Sequence, residues 1–365
     1  MKKIIALTLA VLMANSCQNL TIDEKAQKNL KPVWNEYLQE AFDDTKTVNI
    51  YVATNRKAKG GNFGCGDEQF GVAVDKVLRM GSCKINAPKN HAVGDTKFTR
   101  DNRQPSADFF KILSAKPLEQ VDFFKEIKES KRTPLVFVHG FNVRYEEAVL
   151  RASQIAYDLK YQGPVILFTW PAGAGDGFIE QNLLNKTYDN NSAAARASIS
   201  TFKDFLLSLQ KSEIKINLMV HSMGHQVVLP ALKELGESPS GKLLINHLIL
   251  NAPDFGANDF GPIVKNIKKV SDKTTVYCSY NDKAMMASRT FNKNDRLGAC
   301  TLFEDIDVIN VGALDDTYLG LGHGYYSSRA ILSDISQTFL GVEANYRLFI
   351  VKSELNGAEK YFLRK

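Results

Sequence analysis

The stretch NLMVHSMGHQVV, residues 217–228, reads in two ways that exclude each other. On a helix, His221 and His225 would share one face, with the spacing of the two zinc ligands of H-E-x-x-H. As a strand running into a tight turn, the same residues set Ser222 between an apolar run and Gly224, at the start of a helix. The zinc reading lacks its general base, because Ser222 stands where that motif has Glu. His221 also follows directly on the strand-like run IKINLMV (214–220), so the two imidazoles are not expected on one helical face. The serine reading leads. Gly224 supplies the small residue such a turn needs at +2, whereas Val220 departs from G-x-S-x-G at −2.

Outward from this turn, short apolar runs alternate with helical periodicity. TPLVFVHG (133–140), GPVILFTWP (163–171), IKINLMV, LLINHLILNAP (243–253), TTVYCSY (274–280) and IDVINVG (306–312) read as strands. EEAVLRASQIAYDLKY (146–161), SAAARASISTFKDFLLSLQ (192–210), HQVVLPALKEL (225–235) and FGPIVKNIKK (260–269) read as helices, with Pro230 expected to bend or shorten the third. Unbroken apolar strands are buried on both faces, so the fold class is α/β, a mostly parallel sheet with helices on both faces. Residues 46–132 read as a small β-rich N-terminal elaboration with connecting helices, ADFFKIL (107–113) and LEQVDFFKEIKES (118–130). Residues 133–342 form the core, and 343–365 a C-terminal hairpin turning at Asn356-Gly357.

A serine nucleophile needs a base, an acid to orient that base, and donors for the oxyanion. On a strand–serine–helix turn of this kind, acid and base follow the serine in that order, on loops at strand ends. CSYNDKAM sets Asp282 just after the fifth core strand, and GLGHGYY sets His323 after the sixth. FVHGFN ends the first core strand, where the Phe141 N–H can pair with that of Met223 to hold an oxyanion. Asp254, in NAPD after the fourth strand, is the alternative acid. His139 reads as a structural histidine that hydrogen-bonds the oxyanion loop, His225 as packing that points away from Ser222, and Arg296 as one half of an ion pair. His91 and His247 carry no signal. Trp170-Pro171 with Gly173, Gly175 and Gly177 reads as a wall of the pocket.

Thr133 to Tyr326 resembles the α/β-hydrolase superfamily and is most similar to DUF900, a bacterial group of uncharacterised esterase/lipase-like proteins. The matching stretches are VFVHGFN, ILFTWPAG, VHSMGH, NAPD, YCSYNDKA, RLG and GHGYY, preceded by IYVATNR and FGVAV. Two positions depart from that group: His225 stands where Asn is usual and Val220 where Ala is usual. The resemblance implies an α/β-hydrolase fold and a Ser222–Asp282–His323 triad, without a particular substrate. The expected activity is carboxylic-ester hydrolysis through an acyl-enzyme, on a small-molecule ester or acyl substrate, with no metal or organic cofactor. An amidase or an acyltransferase would use the same triad. The alternative of another class is a lipid-anchored binding or structural protein of the envelope on an idle hydrolase scaffold.

Composition narrows the setting. The chain has 365 residues, 44% hydrophobic and 24% charged, ordinary values for a globular protein with one large core. MKKIIALTLAVLMANS (1–16) reads as an export signal, a basic start and an apolar run too short to span a bilayer. Without Lys2 and Lys3, 44 basic residues face 40 acidic ones, a scattered excess that gives no reason to expect nucleic acid. Cleavage before Cys17 resembles a bacterial lipoprotein signal, with residues 17–45 as a tether and lipid on Cys17 as the membrane anchor. The expected location is the cell envelope, or the periplasm or medium if the signal is a plain secretory one. Cys65, Cys83, Cys278 and Cys300 remain, an even number that favours disulfides in an exported chain. Three pairings are open, and sequence proximity favours Cys65–Cys83 with Cys278–Cys300.

Overall fold

The computed structural model describes residue 24 and residues 47–174, 184–239, 241–314, 323–325, 328–355 and 358–364. The leader 1–16, Cys17, the tether apart from Glu24, Gly175, Gly177, Tyr326 and the Asn356-Gly357 turn lie outside the described residues. The strands are β1 (Thr47–Ala58), β2 (Phe70–Asn86), β3 (Lys111–Pro117), β4 (Leu135–Val138), β5 (Val165–Thr169), β6 (Ile216–His221), β7 (Ile245–Asn251), β8 (Ser271–Cys278), β9 (Asp307–Asn310), β10 (Ile350–Leu355) and β11 (Ala358–Leu363). The helices are α1 (Gln120–Glu129), α2 (Tyr145–Asp158), α3 (Leu184–Lys211), α4 (His225–Glu237), α5 (Ala257–Phe260), α6 (Val264–Val270), α7 (Lys283–Asn292) and α8 (Arg329–Phe339).

The eleven strands of the described residues join one sheet in the order β10-β11-β9-β8-β7-β6-β4-β5-β1-β2-β3. Every neighbouring pair from β1 through to β11 is parallel. Among the described strands, only the pairs β1–β2, β2–β3 and β10–β11 are antiparallel. Every residue of β4, β5 and β6 is buried, which is why these strands read as unbroken apolar runs instead of alternating. One face is covered by α1, α3, α4 and α6 through Phe123, Phe202, Phe205, Leu232 and Ile267. The other is covered by α2 and α8 through Tyr145, Val149, Ile155, Ile331 and Ile335.

The N-terminal elaboration continues this sheet. β1 lies parallel to β5, with Ile50 opposite Val165 and Thr54 opposite Thr169. Cys65, in the loop after β1, is bonded to Cys83 on β2, with Cα atoms 6.0 Å apart. Cys278 is bonded to Cys300 across 5.1 Å between Cα atoms. His91, silent in sequence, meets Asp158 of α2 at 2.6 Å and clasps the connection between β2 and β3 to the core.

Two expectations on local structure are corrected. ADFFKIL forms no helix: turns lead into β3, which pairs with β2 from Asn86–Lys111 to Gly81–Pro117. Its aromatic pair mimics helical spacing over a single turn, but the open edge of β2 offers a ladder of hydrogen bonds that an isolated turn lacks. Pro230 does not shorten its helix either, since α4 runs on to Glu237.

Candidate active site

At the end of β6 the chain turns sharply. Ser222 has φ +49°, in the left-handed region that a residue with a Cβ enters only at a cost. The turn is held in three ways. The Ser222 carbonyl accepts from the Asp254 N–H at 3.3 Å and from His225 Nδ1 at 2.6 Å. Residues Ser222–Gly224 coil into a single 3₁₀ turn that runs directly into α4. The third is close backbone approach: a Cβ on Gly224 would lie 2.5 Å from the His139 carbonyl, and one on Gly140 would lie 2.7 Å from Ser222 Cβ. Both glycines are therefore required. Val220 does no harm, because it lies fully buried in the sheet, in register with Val138 and Leu250.

His225 thus corrects its sequence reading. Its ring turns back onto the Ser222 carbonyl instead of pointing away. Burial lowers its pKa to about 3, so the ring is neutral, with Nδ1 carrying the proton it donates.

Asp282 caps α7, its Oδ1 accepting from the Met285 N–H at 3.0 Å. Its Oδ2 accepts from His323 Nδ1 at 2.7 Å and from the Tyr325 hydroxyl at 3.1 Å. Both oxygens of this buried carboxylate are occupied, which fixes the plane of the His323 ring and leaves Nε2 as the nitrogen not bonded to Asp282. His323 lies over the end of β6. Its ring meets that of His221 at 4.8 Å between centroids, and its carbonyl accepts from His221 Nε2 at 3.2 Å. His221, adjacent to Ser222, is held well below its ordinary pKa by burial first and by His323 second. Tyr325 and the His221 contact escaped the sequence reading; only the tyrosine two residues after His323 could have signalled them.

Asp254 is brought to a different set of partners. Arg296 meets its Oδ1 through two nitrogens, Nε at 2.8 Å and a terminal nitrogen at 2.7 Å, and the Ser288 hydroxyl donates to the same oxygen. Tyr188 and Gln226 donate to Oδ2 at 2.9 and 3.4 Å. With both oxygens engaged, Asp254 does not contact His323.

The loop after β4 is held from behind. The Trp170 indole donates to the His139 carbonyl at 2.9 Å and stacks on its ring at 5.4 Å, interplanar 12°. Trp170 is fully buried, so it buttresses the loop and is not the pocket wall expected from sequence. Burial and the nearby Arg56 lower the His139 pKa to about 3. The Phe141 N–H has no backbone acceptor among the described residues. The Met223 N–H lies in the first turn of its 3₁₀ helix, where N–H groups lack an intrahelical acceptor.

A parallel sheet covered on both faces, with a strained serine between β6 and α4 and an Asp–His pair on the loops after β8 and β9, defines an α/β hydrolase. The family model described as "Alpha/beta hydrolase of unknown function (DUF900)" matches residues 116–342, more than half of the chain, and the chain belongs to that family. No curated protein and no solved structure shows significant similarity.

Proposed function

We propose that the protein is a serine hydrolase that cleaves carboxylic esters through an acyl-enzyme. The observation that carries this reading is the 2.7 Å bond between His323 Nδ1 and Asp282 Oδ2, over the strained turn that presents Ser222. Ser222 Oγ attacks the ester carbonyl carbon while His323 Nε2 takes the hydroxyl proton. The carbonyl oxygen becomes an oxyanion that accepts from the Phe141 and Met223 N–H groups. As the intermediate collapses, the C–O bond to the alcohol breaks and His323 returns the proton to the leaving oxygen. Water, activated by the same imidazole, then releases the acid and restores Ser222. Asp282 holds the imidazolium throughout. No cofactor enters these steps.

An amide or a second alcohol in place of water would use the same groups, which keeps amidase and acyltransferase activity as variants of this reading. The leader sequence supports export and lipid attachment at Cys17, which would hold the enzyme on an envelope membrane. Cys17→Ala is then expected to release the activity, unchanged, into the soluble fraction. A fluorophosphonate probe tests the central claim. Labelling confined to Ser222, with turnover of nitrophenyl esters falling about 10⁶-fold in Ser222→Ala, is expected. A folded wild-type protein that neither labels nor turns over acetyl to palmitoyl esters would favour an idle scaffold that binds its partner without chemistry.

A further inference from the structure

Arg56, at the end of β1, is fully buried and has no carboxylate within ion-pair distance among the described residues. Its charge is spread over neutral acceptors. Nε donates to Thr169 Oγ1 at 2.9 Å. One terminal nitrogen donates to the Ala172 carbonyl at 2.8 Å and the Gly71 carbonyl at 3.3 Å. The other donates to the Val143 carbonyl at 2.8 Å and lies 3.4 Å from His139 Nε2. Val143 and Ala172 belong to the loops that follow β4 and β5, the first of which also holds Gly140 and Phe141. The pairing of β1 with β2 is irregular both just before and just after Arg56, the kind of bulge that re-aims a side chain. Asp67 and Glu147 act on the guanidinium only from beyond ion-pair distance, so its burial rests on these neutral acceptors.

The contacts form a relay. Thr169 Oγ1 accepts from Arg56 Nε and lies 2.8 Å from His139 Nε2. With donors on that side, Nε2 carries the lone pair and the proton sits on Nδ1, the assignment this network requires. Nδ1 then donates to the Gly140 carbonyl at 3.1 Å. In a trans peptide the carbonyl and the following N–H point in opposite directions, so a fixed Gly140 C=O fixes the Phe141 N–H.

We propose that Arg56 is a positioning residue which, through Thr169 and His139, aims the Phe141 N–H at the oxyanion. This inference rests on the serine-hydrolase reading and assigns a purpose to β1, which precedes the residues matched by the family model. Burial lowers the Arg56 pKa to about 9, which leaves the guanidinium charged at neutral pH.

The test uses the full chain and compares Thr169→Val, which keeps the shape and loses the hydroxyl, with Thr169→Ser, which keeps the hydroxyl and loses a methyl. Arg56→Met is measured beside them. The readouts are Tm, kcat per site titrated with fluorophosphonate, and KM for a short nitrophenyl ester. Removing an oxyanion donor outright costs about 10²–10³ in kcat; misaiming one is expected to cost about tenfold or more. Thr169→Val and Arg56→Met should each show that loss in kcat per titrated site at a nearly constant KM, with Thr169→Ser close to wild type. A packing role predicts the reverse order, with valine tolerated and serine impaired. That order, or a folded Thr169→Val with wild-type kcat per site, overturns the positioning role while labelling at Ser222 still supports the hydrolase. A wild-type protein that does not label overturns both.

Discussion

Asp254 and Asp282 follow the carboxyl ends of neighbouring strands, β7 and β8, and are almost equally buried, 2% and 1% exposed. Each lies next to a part of the site, Asp254 through its N–H on the Ser222 carbonyl and Asp282 through His323. Their partners separate them. Asp254 is neutralised by Arg296 and surrounded by the hydroxyls of Ser288 and Tyr188, so its charge holds a loop together. Among the described residues, Asp282 has no lysine or arginine within ion-pair distance; its Oδ2 meets the His323 imidazole and its other oxygen caps α7. A carboxylate already paired with a guanidinium has little to offer a developing imidazolium. One paired with a histidine and neutral donors becomes more valuable when that histidine takes a proton.

Between the two aspartates, the largest effect should come from removing this difference. Asp282→Asn is expected to lower kcat by about 10⁴-fold, because an amide no longer fixes the tautomer or the charge of His323. Asp254→Asn at matched folded fraction should stay far milder in kcat. If it were the more damaging of the two, the acid would have to be reassigned. On stability the order reverses. Asp254→Asn leaves Arg296 buried without its counter-ion, and chemical denaturation should register a loss of about 3–5 kcal/mol. A loss under about 1 kcal/mol would mean that water reaches Arg296.

The Cys278–Cys300 disulfide closes a loop that contains both Asp282 and Arg296, and so acts on both sites. Replacing both cysteines by serine should cost about 2–4 kcal/mol in denaturation, the typical contribution of such a cross-link. Equal stability of the two forms would show the bridge to be dispensable. The last effect concerns pH. His139 and His225 have folded-state pKa values of about 3, below the ordinary 6.5, so the unfolded chain binds protons first on acidification. Their contribution is complete above pH 6.5 and is lost as pH falls towards 3, at about 1.4 kcal/mol per pH unit for each ring. Tm should therefore drop between pH 6.5 and 4.5, and less steeply in His225→Asn. A flat profile would mean that these rings are hydrated in the folded protein.

The apolar runs of the core announced the parallel sheet because strands buried on both faces have no polar side to disguise them, as β4, β5 and β6 illustrate. Ser222 was legible because its turn needs a glycine two residues on. Asp282 and His323 were legible because they follow strands in a set order. These signals are local, a few residues wide. ADFFKIL misled for the same reason: its spacing was local, while the partner that made it a strand, β2, was not.

The sequence by itself determined the strands of the core and the serine turn, since each depends on side-chain size and polarity over a short span. Only the tertiary structure decided which aspartate meets His323, because Asp254 and Asp282 occupy equivalent slots and differ in partners from distant segments, Arg296 against His323 and Tyr325. The same holds for Arg56. In sequence it is the last residue of IYVATNR; in the fold, the parallel pairing of β1 with β5 carries it 113 positions along the chain to Thr169, behind the loop of Gly140 and Phe141.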